Sequence, residues 1–198
     1  ELIFGTLLTG SNYDKSEDKT VGGKNGYGAK LANIFSKTFR VETVDAHRKK
    51  RFVQTFSNNM KDRTTPEITD FSGKPYTTIS FLPDYEKFSM TGMDDDVYAL
   101  FEKRAYDVAA WTPKNISVYF NDKKIPIKQF EQYVDLYLGS KTDRPRVYEQ
   151  LNDRWEVVAS FSEDDAFQQV SFVNGICTKR GGKHVEAIAD QIKDSLCD

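Results

Sequence analysis

The spacing of apolar residues predicts a helix at the start of the chain, followed by a loop. Five apolar residues lie at helical spacing in the first eight positions: Leu2, Ile3, Phe4, Leu7 and Leu8. No capping residue precedes them, so we expect this helix to be already in progress at Glu1, inside a domain. The run Thr9–Thr20 is polar, charged and rich in turn-forming residues, which predicts a mobile loop that can act as a lid.

A second helix and an antiparallel hairpin are predicted next. One face of this helix carries Leu31, Ile34 and Phe35. The period then changes to two, with one strand face formed by Phe39, Val41 and Thr43 and the other by Arg40, Glu42 and Val44. The basic turn His47–Arg51 joins this strand to Phe52–Phe56, which predicts a hairpin. Asn58–Pro75 is expected to be a loop, and Tyr76–Leu82 a further strand.

Three consecutive carboxylates, Asp94–Asp96, precede the next predicted helix. The apolar face of this helix is formed by Val97, Leu100, Phe101, Ala105 and Val108. Adjacent helical residues do not converge on one ion, so we interpret the carboxylates as a cap rather than a metal site. A hairpin over Ser117–Ile127 and a short helix from Phe130 to Tyr137 follow.

The end of the chain combines strands with an amphipathic helix. Gly139–Arg146 has the composition of a linker. Trp155–Phe161 and Phe167–Cys177 are predicted to be two strands joined by an acidic turn. The last helix has an apolar face that we expect to point inward, formed by Val185, Ile188, Ala189, Ile192 and Leu196.

Composition excludes several classes of protein. Fourteen Phe and ten Tyr in 198 residues are enough to form a hydrophobic core, which excludes a disordered tail. The net charge of −2 provides no global basic field, so any DNA contact must be local or lie outside the chain. No apolar run approaches the ~20 residues that span a bilayer. Cys177 and Cys197 show no metal-ligand spacing and no disulfide framework, which favours free thiols.

The candidate chemistry lies in a glycine-rich loop. Four of the twelve glycines fall within seven residues: Gly22, Gly23, Gly26 and Gly28. Glycine lets backbone approach a ligand closely, and the helix that follows presents free N–H groups and the positive end of its dipole. With Lys30, this pattern predicts a polyphosphate site. It matches neither a Walker loop, because Leu31 follows the lysine, nor a dinucleotide fingerprint, because no strand precedes it. The alternative is a loop that merely caps a helix, with Lys30 solvated.

Two other basic segments have weaker signals. Gly181–Gly182 is a second possible anion site, but a strand-to-helix connection needs glycine anyway, and we favour a turn. The turn His47–Arg51 could contact phosphates, although a solvated hairpin end explains its charges. No Ser/His/Asp catalytic triad can be recognised in the sequence. We assign no catalytic role to His47 or His184, which we expect to be exposed.

Several short sequence motifs, which occur in order along the whole chain, resemble those of the eukaryotic type IIA DNA topoisomerases (topoisomerase II). The first two are Ser11–Asp14 and Gly22–Leu31. The others are Tyr106-Asp107, Val118–Phe120, Tyr133-Val134, Asn152–Glu156, Phe167–Asn174, Gly181-Gly182, His184-Val185 and Asp190–Ile192.

The resemblance implies an α+β chain with parts of two domains. Residues 1–128 would be the C-terminal part of a GHKL (Bergerat) ATPase domain, a two-layer α/β sandwich, with its ATP lid and glycine-rich phosphate loop. Residues 129–198 would begin a ribosomal-protein-like βαβ transducer domain. The family boundary near Lys128 is a little earlier than the linker that composition indicates.

The resemblance also implies which residues bind ATP. The family's nucleotide contacts fall on Gly10, Ser11, Asn12, Gly23, Lys24, Asn25, Gly26, Tyr27, Gly28, Ala29 and Lys30. Gly10 stands where relatives commonly have Ser, so a side-chain contact is absent there. Lys24 replaces the usual Arg, which keeps the charge but loses the fork of donors.

The family's general-base Glu and the Asn that holds Mg²⁺ match no residue of this chain, and we expect both upstream. The chain therefore carries no predicted catalytic residue or metal ligand, and by itself should not hydrolyse ATP. The parent protein is expected to be a nuclear homodimer that uses ATP binding and hydrolysis to close a clamp and pass one DNA duplex through a transient break in another, with no membrane partner. The alternatives are another GHKL ATPase, such as a chaperone or sensor kinase, or a scaffold module that does not hydrolyse ATP.

Overall fold

The computed structural model of the chain describes residues 1–13, 16, 20–23 and 25–197. Its contacts divide the chain into two compact units, Glu1–Met93 and Asp94–Asp198. The first unit contains α1 (Leu2–Gly5), α2 (Gly28–Ile34), β1 (Ser36–Asp45), β2 (Lys50–Ser57), β3 (Asp62–Arg63), β4 (Glu67–Asp70), β5 (Thr77–Pro83) and a 3₁₀ helix (Tyr85–Phe88). The second contains α3 (Asp95–Trp111), β6 (Tyr119–Phe120), β7 (Lys123–Lys124), α4 (Phe130–Leu138), β8 (Arg146–Asn152), β9 (Trp155–Ser160), β10 (Phe172–Val173), β11 (Ile176–Cys177) and α5 (Lys183–Cys197).

The first unit is built on an antiparallel sheet with the strand order β3-β2-β1-β5, in which β4 also pairs with β2. The register places Phe39 opposite Phe56 on one side and Phe81 on the other, which confirms the predicted hairpin and the strand after it. The prediction of a loop over Asn58–Pro75 is wrong in part, because β3 and β4 lie there. These strands are too short to show a period of their own, and the backbone of β2 supplies their pairing.

The core of the first unit lies where α1 packs on the sheet. Phe39, Val41 and Phe56 are buried, as the alternation predicts. The ring of Phe4 lies 5.9 Å from that of Phe39, and a Cβ on Gly5 would lie only 2.8 Å from the Phe56 ring. The backbone of α1 therefore lies directly against the sheet, immediately before the predicted lid.

The opposite sheet face carries a polar network centred on Glu42. Its carboxylate accepts hydrogen bonds from Arg51 (2.8 Å), Tyr76 (2.6 Å) and Arg40 (2.5 Å). These bonds, with that of Arg51 the strongest influence, lower the pKa of Glu42 from its ordinary 4.5 to about 2. Val44, which the alternation assigns to this polar face, is buried.

The second unit has its core between α3, α4 and the segment between them. The buried residues are Ala109, Ala110, Ile125, Ile127 and Tyr133. Asp94 caps α3 by accepting a hydrogen bond from Val97 N at 2.8 Å, which confirms its predicted role. The predicted apolar face is wrong toward the start of α3, where Leu100 and Phe101 are about half exposed. The helix buries the part nearer its C-terminus instead.

A buried carboxylate joins α3 to α4. Asp107 is 3% exposed and accepts hydrogen bonds from Lys103, at 2.8 Å, and from the Tyr133 hydroxyl, at 2.7 Å. The Tyr133 hydroxyl also lies 2.9 Å from that of Tyr137. Burial, followed by these hydrogen bonds, raises the pKa of Tyr133 well above its usual range.

Three short antiparallel ribbons, β6–β7, β8–β9 and β10–β11, complete the second unit with α5. The strand at Trp155 pairs with Arg146–Asn152, which we did not predict to be a strand, rather than with Phe167–Cys177. The latter segment contains its own hairpin. The predicted last helix is confirmed, but its apolar face is not fully buried, since Leu196 is 77% exposed.

The predicted linker Gly139–Arg146 and the predicted boundary near Lys128 both fall within the second compact unit. Helices combined with antiparallel sheets make the chain α+β, as expected.

Candidate functional site

The structure brings together the two segments predicted to bind nucleotide. Asn12 Nδ2 donates to the carbonyl of Gly23 at 2.6 Å, and the Tyr13 hydroxyl donates to the carbonyl of Asn25 at 3.4 Å. The segment that ends at Tyr13 therefore lies along the glycine-rich loop. Lys24, a predicted contact residue, lies outside the described residues.

Gly26 is held where a side chain does not fit. Its φ of +66° is in the left-handed region, and a Cβ there would lie 3.0 Å from Gly10 Cα. Both backbones therefore depend on glycine at position 26 for their close approach. By contrast, a Cβ on Gly23 or Gly28 would meet nothing within 4 Å.

Helix α2 follows this loop directly. Tyr27 occupies its N-cap, and the Leu31 N–H donates to the Tyr27 carbonyl at 2.8 Å. The predicted contact residues of the loop and first turn, apart from Lys30, are exposed: Gly23, Asn25, Gly26, Tyr27, Gly28 and Ala29. Of the first segment, Ser11 is exposed, and Gly10 and Asn12 are half-buried.

Lys30 is buried, with only 2% of its surface exposed. Its ammonium donates to the Gly26 carbonyl at 2.9 Å, a bond that ties the first turn of α2 back to the loop. Among the described residues, no carboxylate forms an ion pair with it within 4.0 Å. A buried charge is normally paired or bound to a ligand. The described part of the site thus supplies a cation and backbone donors suited to an anion.

The periodicity of α2 misidentifies its buried face. Leu31 is about half exposed, whereas Lys30 and Asn33 are buried. Asn33 is the residue of this site that the sequence reasoning missed. Its spacing of three residues from Lys30, which places both on one helix face, is the signal that could have identified it.

Three of the four Lys and Arg side chains in the basic hairpin turn pair with neighbouring carboxylates. Arg48 pairs with Asp45 at 2.6 Å, and Lys50 pairs with Asp70 at 2.7 Å. Arg51 is bound by the Glu42 network. These pairs favour a solvated hairpin end over a phosphate site.

The second glycine pair lies in a turn, as we favoured. Gly181 N donates to the Thr178 carbonyl at 2.8 Å, and both glycines have positive φ immediately before α5. His184, which we expected to be exposed, is half-buried, and its Nε2 lies 3.0 Å from the Thr178 hydroxyl.

Within the described residues, no group of three or more His, Cys, Asp and Glu side chains could hold a metal ion. In the same part of the chain, no helix has both the length and the apolar character needed to cross a membrane.

Curated relatives match along the whole chain. DNA topoisomerase 2-alpha of Rattus norvegicus is 50% identical over 202 residues, which cover 100% of this chain and 13% of the relative. DNA topoisomerase 2 of Acanthamoeba polyphaga mimivirus is 50% identical over 198 residues, which cover 98% of this chain and 16% of the relative. The chain therefore spans only a small part of these proteins.

Solved structures match the fold. The ATPase region of Saccharomyces cerevisiae topoisomerase II aligns with a TM-score of 0.91 and 44% identity, over 99% of this chain and 51% of the other. The ATPase and transducer domains of DNA topoisomerase II from Balamuthia mandrillaris align with a TM-score of 0.91 and 47% identity, over 98% of this chain and 50% of the other. A family model described as DNA gyrase B matches residues 116–197.

The chain is 50% identical to DNA topoisomerase 2 proteins, and nearly all of it has the fold of the topoisomerase II ATPase region. The chain belongs to the DNA topoisomerase 2 family and is part of its GHKL ATPase region.

Proposed function

We propose that Gly10–Asn12 and Gly23–Lys30, Lys24 included, bind the phosphates of ATP. The buried Lys30 ammonium, with a carbonyl as its partner among the described residues, is the observation that carries the proposal. A phosphate oxygen would supply both a counter-charge, which no described residue supplies, and an acceptor for the remaining N–H donors.

Each group has a distinct role in this proposal. Lys30 donates to phosphate oxygens from a position fixed by burial, while the exposed N–H groups at the start of α2 point their dipoles at the same anion. Asn12 holds the first segment against the loop through Gly23. Thr9–Thr20 is proposed to fold over the bound nucleotide as a lid.

Mg²⁺ is proposed to accompany the nucleotide, with its Asn ligand and the general-base Glu supplied from sequence outside residues 1–198. The described residues provide no carboxylate cluster for the ion, and we assign no step in this chain to it. This chain would then bind phosphate and report its presence, and the hydrolytic step would need the groups outside it.

For the whole protein, we propose ATP-dependent passage of one DNA duplex through another, by a nuclear homodimer. The support is 50% identity to proteins named DNA topoisomerase 2. We also propose that residues 1–128 belong to the nucleotide-binding domain and that 129–198 begin the transducer. A chaperone, a sensor kinase or a scaffold module is not favoured by these relatives.

The test compares two lysine variants in the full-length protein by titration with ATP. Lys30→Gln should raise the Kd for ATP by about 10- to 100-fold, because it removes a charge-assisted hydrogen bond. Lys61→Gln removes an exposed lysine of the same unit and should leave the Kd unchanged. Equal affinities for the Lys30→Gln and wild-type proteins would overturn the proposal.

A further inference from the structure

Asn33 is a buried amide at the end of α2 away from the loop. It is 0% exposed, and its Nδ2 donates to the carbonyl of Phe4, in α1, at 3.0 Å. Its Oδ1 is buried and has no hydrogen-bond partner among the described residues. A buried amide oxygen left without a partner costs stability, so the contribution of Asn33 to the fold lies in the bond that its Nδ2 makes to Phe4.

This bond is one of several contacts between two adjacent segments. The residues before Tyr13 form one segment, and the loop with α2 forms the other. At the loop, Asn12 donates to Gly23 and Gly10 lies against Gly26. At the far end of α2, Asn33 holds Phe4, whose ring packs on Phe39 in the sheet core.

Lys30 lies between these contacts. It shares a face of α2 with Asn33, one turn nearer the loop, and its ammonium is bound to Gly26. A shift of α2 along α1 would therefore move the ammonium relative to Gly10–Asn12. The Asn33 bond opposes that shift, because it ties α2 to a helix that packs on the sheet.

We infer that Asn33 is a positioning residue for the phosphate site: by anchoring α2 to α1, it sets where the Lys30 ammonium and the glycine loop meet the nucleotide. This inference rests on the proposed function. Among the described residues, the side chain of Asn33 is hydrogen-bonded to Phe4 rather than to the loop, so its effect passes through Lys30.

Gln54 provides a matched control in the same unit. It is 1% exposed, donates from Nε2 to the Thr64 carbonyl at 3.0 Å, and has a buried Oε1 without a partner among the described residues. It lies in β2, and its bond joins the sheet to the segment between β3 and β4. A merely structural role would give Asn33 and Gln54 the same behaviour.

The experiment uses Asn33→Leu and Gln54→Met in the full-length protein, since both keep size and remove the amide. Both variants should accelerate hydrogen exchange in β1 and β2, which reports local stability. Asn33→Leu should also raise the Kd for ATP about tenfold, as expected for a misplaced binding group, whereas Gln54→Met should not. Equal changes in Kd, or no change for Asn33→Leu, would overturn the inference.

The Lys30→Gln variant distinguishes failure of the positioning role of Asn33 from failure of the proposed phosphate site. If Lys30→Gln weakens ATP binding and Asn33→Leu does not, the phosphate site stands and the positioning role is wrong. If neither variant weakens binding, both are wrong.

A second measurement needs no variant. ATP should slow exchange of the Phe4 and Gly5 N–H groups of α1, which donate to the Glu1 carbonyl at 3.3 and 2.7 Å. Exchange in β3 (Asp62–Arg63) should be unaffected. Protection of the loop with no change in α1 would contradict the link through Asn33, even if Asn33→Leu failed to fold.

Discussion

The glycines of the phosphate loop differ in whether their positions require glycine. Gly26 has positive φ and lies against Gly10, whereas Gly28 begins α2 with open space around its Cα. A motif read from sequence treats both glycines as equal. The structure separates them, because Gly10, sixteen positions earlier, lies where a Cβ on Gly26 would be, whereas a Cβ on Gly28 would meet nothing within 4 Å.

Alanine substitutions test this difference. Gly26→Ala should lower the free energy of unfolding by about 1–2 kcal/mol, because an L-residue is disfavoured at positive φ. Gly28→Ala should raise it by about 0.4–1 kcal/mol, because it restricts the unfolded chain without a clash. Urea denaturation of both variants without nucleotide provides the measurement, and equal effects would contradict the different roles.

The burial of Lys30 could not be predicted from sequence. Helical periodicity assigns buried positions to apolar residues, so it selected Leu31 and left Lys30 solvated as an alternative. Helix α2 packs against α1 and the sheet, and its buried residues are Lys30 and Asn33; this packing is tertiary information. The glycine pattern and the family resemblance both predict that this lysine binds phosphate, but neither predicts that it is buried.

At the scale of elements, strands in which apolar and polar residues clearly alternate were predicted, and strands without that alternation were missed. The hairpin β1–β2 shows a clear alternation in β1, where Phe39 and Val41 flank Arg40. Strand β8 was missed because its sequence is mostly polar. The turn at the end of β8 contains Asn152 and Asp153, residue types that favour turns and could have indicated the hairpin; in the structure Asn152 accepts a hydrogen bond from Arg154 N at 2.8 Å.

The Glu42 network predicts how the sheet responds to acid. The pKa of Glu42 is lowered in the fold, so its ionised form stabilises the protein above pH 4.5, and this stabilisation is lost as the pH falls from 4.5 through about 2. Glu42→Gln should therefore reduce stability at pH 7 and flatten its decline over that range. Denaturation midpoints measured against pH test this, with Glu67→Gln, at an exposed position in β4, as the control. A decline as steep in Glu42→Gln as in the wild type would be inconsistent with the network.

The bond between α3 and α4 gives a second prediction at this scale. Tyr133→Phe removes the hydroxyl that donates to buried Asp107, and should lower the free energy of unfolding by about 1–3 kcal/mol. Tyr119→Phe, at a 58% exposed position, should have little effect. Urea denaturation distinguishes them, and a neutral Tyr133→Phe would show that the network does not stabilise the second unit.

For the whole protein, we expect ATP-dependent DNA strand passage to depend on the phosphate site. Lys30→Gln in the full-length protein should abolish ATP-dependent strand passage, measured by relaxation or decatenation of closed duplex DNA, because in the proposed cycle the clamp closes on bound nucleotide. Binding of DNA without ATP should persist, as should the activity of Lys61→Gln. Normal strand passage by Lys30→Gln would separate this loop from the proposed ATP cycle.

The most direct test is a structure of the protein bound to a non-hydrolysable ATP analogue. We predict that the Lys30 ammonium lies about 2.7–2.9 Å from a phosphate oxygen, as in other charge-assisted hydrogen bonds, with the loop from Gly23 around the phosphates. Nucleotide bound elsewhere, with Lys30 still donating only to the Gly26 carbonyl, would contradict the central claim.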